Sequence, residues 1–141
     1  MDVEINGWAV AAATAMSFVV GMIWYAPVVF GETWRKLIKM DKKTMQKGPE
    51  PISWVYTLVG AGLQAFVLAH VTYLSYSFFD ESWMASALMT SLWMWAGFQL
   101  SMLFTHDTFE QRPVKLTLLN AGNQLATLLA MALVIGLFEP F

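Results

Sequence analysis

The residues best placed to do chemistry in this chain are polar groups set into oily surroundings. Thr117, Asn120, Asn123, Gln124 and Thr127 stand at i, i+3, i+6, i+7 and i+10 inside an apolar run, a spacing that holds them on one face of a helix. Amides and hydroxyls there can hydrogen-bond a neighbouring helix, line a path for a solute or proton, or hold a small ligand or lipid. Gln64, His70 and Gln99 stand in two further apolar runs. His70 could relay a proton near neutral pH with Gln64, the amides at 120–124 or a tyrosine hydroxyl as partner, or simply hydrogen-bond a neighbour as a lone histidine commonly does. A third group, His106, Asp107, Glu110 and Arg112, falls in the polar stretch HDTFEQRP. It could bind or transfer protons, or form a solvated cap in which Glu110 pairs with Arg112.

Much chemistry is ruled out by what is missing. The chain has no cysteine, so disulfides, thiolate nucleophiles and sulfur-ligated metals are excluded. It contains no HExxH, no GxSxG and no Walker-type glycine loop. His70 and His106 are expected at opposite surfaces, so no shared metal site within one subunit is expected. Neither a cofactor nor a nucleic-acid partner is expected.

The elements that carry these groups follow from composition. Of 141 residues, 57% are hydrophobic and 13% charged, about half the charged share of a soluble domain. The apolar residues form four runs, about 8–29, 52–79, 83–105 and 114–138. Each is long enough to cross about 30 Å of hydrocarbon as a helix. The expectation is an all-α, four-helix transmembrane bundle, one polytopic membrane domain over 1–141. The acidic start MDVEING, with no small-residue cleavage site after the first run, predicts that the first helix stays in the protein.

Between the first two spans, GMIWYAPVVFGETWRKLIK reads as a helix leaving the bilayer and lying down on its surface. Pro27 lacks an N–H and pushes Ala26 away from helical angles. Trp24, Tyr25 and Trp34 are types that settle at headgroup level. Phe30, Trp34, Leu37, Ile38 and Asp41 stand at i, i+4, i+7, i+8 and i+11, so an apolar stripe lasts about two turns and then fails. Together with Gly31, these residues predict a short amphipathic interfacial helix within the basic loop 31–51. Its Arg35, Lys36, Lys39, Lys42 and Lys43 would face anionic headgroups.

All eight Lys and Arg fall in two places, 35–47 and 112–115. With four spans those two loops share a side, which the positive-inside rule makes cytoplasmic, with both termini outside in the plasma membrane. Ala9, Ala13, Ser17 and Gly21 on the first helix, and Gly60, Ala61, Gly62, Ala65 and Ala69 on the second, offer small-residue faces for close helix packing.

GMIWYAPVVFGETW (21–34), WAGFQL (95–100), FEQRPVKL (109–116) and NAGNQL (120–125), in that order, resemble the bacterial domain-of-unknown-function family 1761. The resemblance spreads over nearly the whole chain and implies a small bacterial integral membrane protein; it implies no activity. Three function classes stay open. The leading one is a non-enzymatic membrane protein working as a homo-oligomer or accessory subunit. The alternative is a small-solute or proton transporter or channel using the fourth helix and His70. The third is an enzyme acting on lipid or quinone at the cytoplasmic surface through the HDTFEQRP loop.

Overall fold

The computed structural model describes residues 3–140. Helix α1 (Gly7–Trp24) is opened by Asn6, whose Oδ1 accepts from the amides of Trp8 at 3.0 Å and Ala9 at 3.2 Å. It ends five residues before the expected Val29. Pro27 is the reason: Ala26 ahead of it is extended, with ψ 142°. Residues Pro27–Gly31 then make one turn of π-helix, closed by Gly31 N–H to the Ala26 carbonyl at 3.0 Å.

The expected single interfacial helix is two short ones, α2 (Glu32–Leu37) and α3 (Lys42–Lys47). Lys39, at φ 56°, turns the chain out of α2, and Met40 N–H closes back on the Arg35 carbonyl at 3.0 Å. Asp41 caps α3 by accepting from Thr44 N–H at 2.8 Å. Helix α4 (Pro51–Phe79) opens with proline in its first turn. Its 29 residues measure about 43 Å, so it tilts in or emerges from a bilayer core of about 30 Å.

Asp80, in the left-handed region at φ 54°, ends α4, and Ser82 caps the next helix. α5 (Trp83–Met94), a π-helical stretch (Trp95–Leu100) and α6 (Ser101–Phe109) form one rod of 27 residues. This rod runs past the expected end at Thr105. His106 and Asp107 are therefore helical rather than part of a loop, because nothing breaks the helix before the turn that precedes Pro113. Helix α7 (Val114–Leu137) completes the chain. The described residues contain no strand.

The four long helices are long and apolar enough to cross a membrane, and the protein is an all-α, four-helix transmembrane bundle. α7 packs against α1 and α5, and α4 packs against the other flank of each, closing a ring. α7 is the most buried of the four. The core joins Ala13, Ala61, Ala65, Leu68, Ala87, Leu128 and Met131, among others. Its many alanines let the backbones approach closely, which is how helices associate without a hydrophobic drive between them. Trp83 Nε1–H bonds the Ile135 carbonyl at 2.7 Å, tying the far end of α7 to the start of α5.

The small-residue faces thus pack within one protomer. Ala9 and Ala13, and Ala61, Ala65 and Ala69, are buried, while Ser17, Gly21 and Gly60 line a cavity among α1, α4 and α7.

Candidate functional site

Three consecutive residues of α7, Asn120, Ala121 and Gly122, form a joint. The Tyr25 hydroxyl donates to Asn120 Oδ1 at 3.0 Å. Trp95 Nε1–H donates to the Ala121 carbonyl at 2.9 Å. The Trp24 ring lies so close to Gly122 that a Cβ there would come within 3.0 Å of it. Phe30 packs on Trp24 with centroids 4.6 Å apart, and Trp34 meets Tyr25 edge-on at 5.3 Å. The aromatic stretch Trp24–Trp34 therefore folds onto α7. Pro27 supplies its break, and Gly31 supplies the close approach, since a Cβ on Gly31 would run into the Tyr25 carbonyl and Ala26.

Beside this joint, α1, α4 and α7 part to leave a cavity of about 660 Å³, roofed by α2 and α3. Gln64 reaches it from α4, and Asn123, Gln124 and Thr127 from α7, with Ser17 and Tyr25 from α1 and its end. Among the described residues no Asp, Glu, Lys, Arg or His lines it. Asn123 is 6% exposed, and its Nδ2 has no hydrogen-bond partner. The Gln64 and Gln124 amides likewise bond no other described residue. A buried donor left unpaired costs about 1–3 kcal/mol, so this is an uncharged site with hydrogen-bonding capacity unused. The other walls are apolar, among them Phe18, Met22, Trp54 and Met45.

The remaining candidates lie elsewhere. His70 is partly exposed; its Nδ1 bonds the Phe66 carbonyl one turn back at 2.9 Å, and its ring packs on Phe66. It is not among the cavity's lining, nor is Gln99, which sits partly exposed in the π-helical stretch. His106 is exposed at the end of the α5–α6 rod. Asp107 is buried, and its Oδ2 accepts from the Thr117 hydroxyl at 2.7 Å. Arg112 pairs with the exposed Glu110 and reaches to 3.9 Å of Asp107. Within the HDTFEQRP group Glu110 and Arg112 form an exposed pair, whereas Asp107 is buried. That carboxylate instead latches α6 to α7.

On the roof, Arg35 is held by Glu32 at 2.6 Å and 3.0 Å and by the Met40 carbonyl at 2.7 Å. The Arg35 hydrogen bonds lower the Glu32 carboxyl to about 2. Hydrogen bonds from Thr44 lower that of Asp41. Arg35 is thus turned inward, and Lys36, Lys39, Lys42, Lys43 and Lys47 are the exposed cations of this segment. A second cavity of about 600 Å³ lies between α4 and the α5–α6 rod, walled mainly by Leu74, Phe78, Trp93 and Phe98. Among the described residues no cluster of three or more His, Asp or Glu could hold a metal ion.

Sequence reasoning did not pair Tyr25 with Asn120, 95 positions apart, nor place Trp54 in the cavity wall. No local pattern announces either. The unbroken run up to Pro113 was a usable sign that the third helix takes in Asp107. The family described as "Protein of unknown function (DUF1761)" matches residues 8–136. No curated protein and no solved structure matches the chain.

Proposed function

The chain belongs to the DUF1761 family, whose description assigns no activity, and from its geometry we propose a multi-pass membrane protein that binds an uncharged small molecule without transforming it. The observation that carries this reading is the set of amides, Gln64, Asn123 and Gln124, that line a cavity without charged side chains and hydrogen-bond no other described residue. Pockets of about 300–1,000 Å³ with a few convergent polar groups are the usual form of small-molecule sites. Among the described residues no acid–base pair lines the cavity, which favours binding over catalysis. Conduction is disfavoured by the stretch of α7 beyond Thr127: Leu128, Met131 and Ile135 are fully buried core, so the polar face stops partway along the helix.

The membrane in question is the plasma membrane, with the basic segments 35–47 and 112–115 cytoplasmic and both termini outside. Lys36, Lys39, Lys42 and Lys43 lie against anionic headgroups there. A second reading, assembly as a homo-oligomer or accessory subunit, draws on the crevice between α4 and the α5–α6 rod. Phe78, Trp93 and Phe98 are exposed beside it and could receive a helix of another subunit.

The binding reading is tested by native mass spectrometry of the protein released from its own membranes in mild detergent. One retained small molecule per chain is expected, and its loss in a Gln64→Leu, Asn123→Leu, Gln124→Leu triple variant. Wild-type chains that arrive uniformly empty would overturn the reading.

A further inference from the structure

We infer that the cavity takes an uncharged lipid whose head carries free hydroxyl groups, as a monoacylglycerol does, and not one whose head offers carbonyl or ester oxygens alone. This rests on the binding reading and names the ligand class. The hydrogen bonds already made around the cavity set the head. The Ser17, Tyr25 and Thr57 hydroxyls belong to its lining, and each already donates elsewhere. Their acceptors are the Thr14 carbonyl at 2.7 Å, Asn120 Oδ1 at 3.0 Å and the Ser53 carbonyl at 2.8 Å. Toward a guest these three hydroxyls can only accept. Asn123 adds a fourth acceptor: its Nδ2 is buried, while its Oδ1 is accessible and bonds no described residue.

The side chains of Gln64, Gln124 and Thr127 bond no described residue either, and each can donate as well as accept. The Trp34 and Trp54 indoles, also in the lining, add N–H donors. A guest with carbonyl oxygens alone meets the donors and leaves the four acceptors unmet. A hydroxyl meets both, since it donates as well as accepts. Among the described residues the lining has no charged side chain, so an ionic head would sit there as a buried, unpaired charge. The remaining walls set the tail. Phe18, Met22, Met40 and Met45 present a ring and flexible thioethers, surfaces that fit an apolar chain of variable shape. Met22 is 63% exposed and Trp54 48% exposed, both on spans, and Thr57 and Gly60 on α4 are exposed as well. That edge of the cavity meets lipid, which makes the bilayer the source of the guest.

The test is binding of tritiated 1-oleoylglycerol to the purified protein in nanodiscs of dioleoylphosphatidylcholine, read by scintillation proximity against empty discs. The competitors are unlabelled 1-oleoylglycerol, methyl oleate, oleate and glycerol. Methyl oleate keeps the tail and an ester but has no hydroxyl, oleate adds a charge, and glycerol keeps the hydroxyls without the tail. Saturable binding is expected, with these three competing about tenfold or more weakly than 1-oleoylglycerol itself. Methyl oleate competing equally would overturn the hydroxyl head, oleate competing equally the uncharged head, and glycerol competing equally the bilayer source. No saturable binding of 1-oleoylglycerol would overturn the inference as a whole.

Ser17→Ala and Thr57→Val each remove an oxygen that can only accept, and each loses no bond except one to its own helix. Each should weaken 1-oleoylglycerol about three- to tenfold and leave the weaker competition by methyl oleate unchanged, since that probe has no proton to give. Equal weakening of both probes would mean that these side chains shape the cavity without meeting a hydroxyl, and would overturn the assignment. So would two variants that bind 1-oleoylglycerol as the wild type does. If native mass spectrometry finds a retained molecule that is ionic or lacks a hydroxyl, the binding reading stands and this inference falls; chains that arrive empty sink the reading itself.

Discussion

Gly31 carries the most demanding steric condition near the site. Its φ of −60° is ordinary helix, so conformational freedom is not the reason for glycine there. The reason is proximity: the π-turn brings residue 31 back onto the peptide that joins Tyr25 to Ala26, and backbone does not yield as a side-chain tip does. Gly31→Ala is therefore expected to destabilise the protein by about 1–3 kcal/mol, the usual cost of overpacking. It should also release Tyr25 from Asn120. Gly62→Ala makes the contrasting case, because a Cβ there meets nothing within 4 Å inside a long helix; it should gain up to about 1 kcal/mol. Thermal unfolding of the two variants in detergent measures both, and a Gly31→Ala protein as stable as wild type would contradict the account of the π-turn.

Among the elements, the α2–α3 roof depends on one clamp. Arg35 bonds Glu32 within α2 and the Met40 carbonyl beyond it, and so ties the helix to the turn that leads into α3. Because Arg35 lowers the Glu32 carboxyl from 4.5 to about 2, the clamp is at full strength above pH 4.5. It weakens as pH falls further and is lost through pH 2. In a carbon-13 carboxyl titration, Glu32 is expected to remain ionised at pH 3.5. Arg35→Gln should move its midpoint back toward 4.5; a Glu32 that titrates near 4.5 in the wild type would remove the clamp. The break at Pro27 and the basic run were legible in the sequence, since proline and charge act locally. The division of the roof into two helices was not, because Lys39 takes a left-handed conformation that its side chain does not signal. The burial of Asp107 was hidden for a related reason. A run of charges reads as loop, and only the folded partners, Thr117 on α7 and Arg112 at 3.9 Å, make a buried carboxylate tenable.

At the scale of the molecule, two asymmetries run along the same axis. Every Lys and Arg belongs to the end that carries α2, α3 and the α6–α7 turn, while Glu4, Asp80, Glu81 and Glu139 mark the other end. The joint at Asn120–Gly122 and the cavity beside it lie in the half of the bundle nearer the basic end. The four spans were readable because about 20 apolar residues in a row have few other uses. The cavity was not, because its walls come from four separate stretches that only the ring of helices brings together. The charge asymmetry predicts orientation, and the absence of cysteine makes that testable with single substitutions. Lys43 and Glu81 flank α4 at its two ends, about 40 Å or more apart along a helix of that length, and both are exposed. With a membrane-impermeant maleimide on intact cells, Glu81→Cys is expected to react at once and Lys43→Cys only after lysis. The opposite pattern would invert the protein in its membrane and put the cavity's roof outside. Labelling of both positions on intact cells would mean that α4 does not cross.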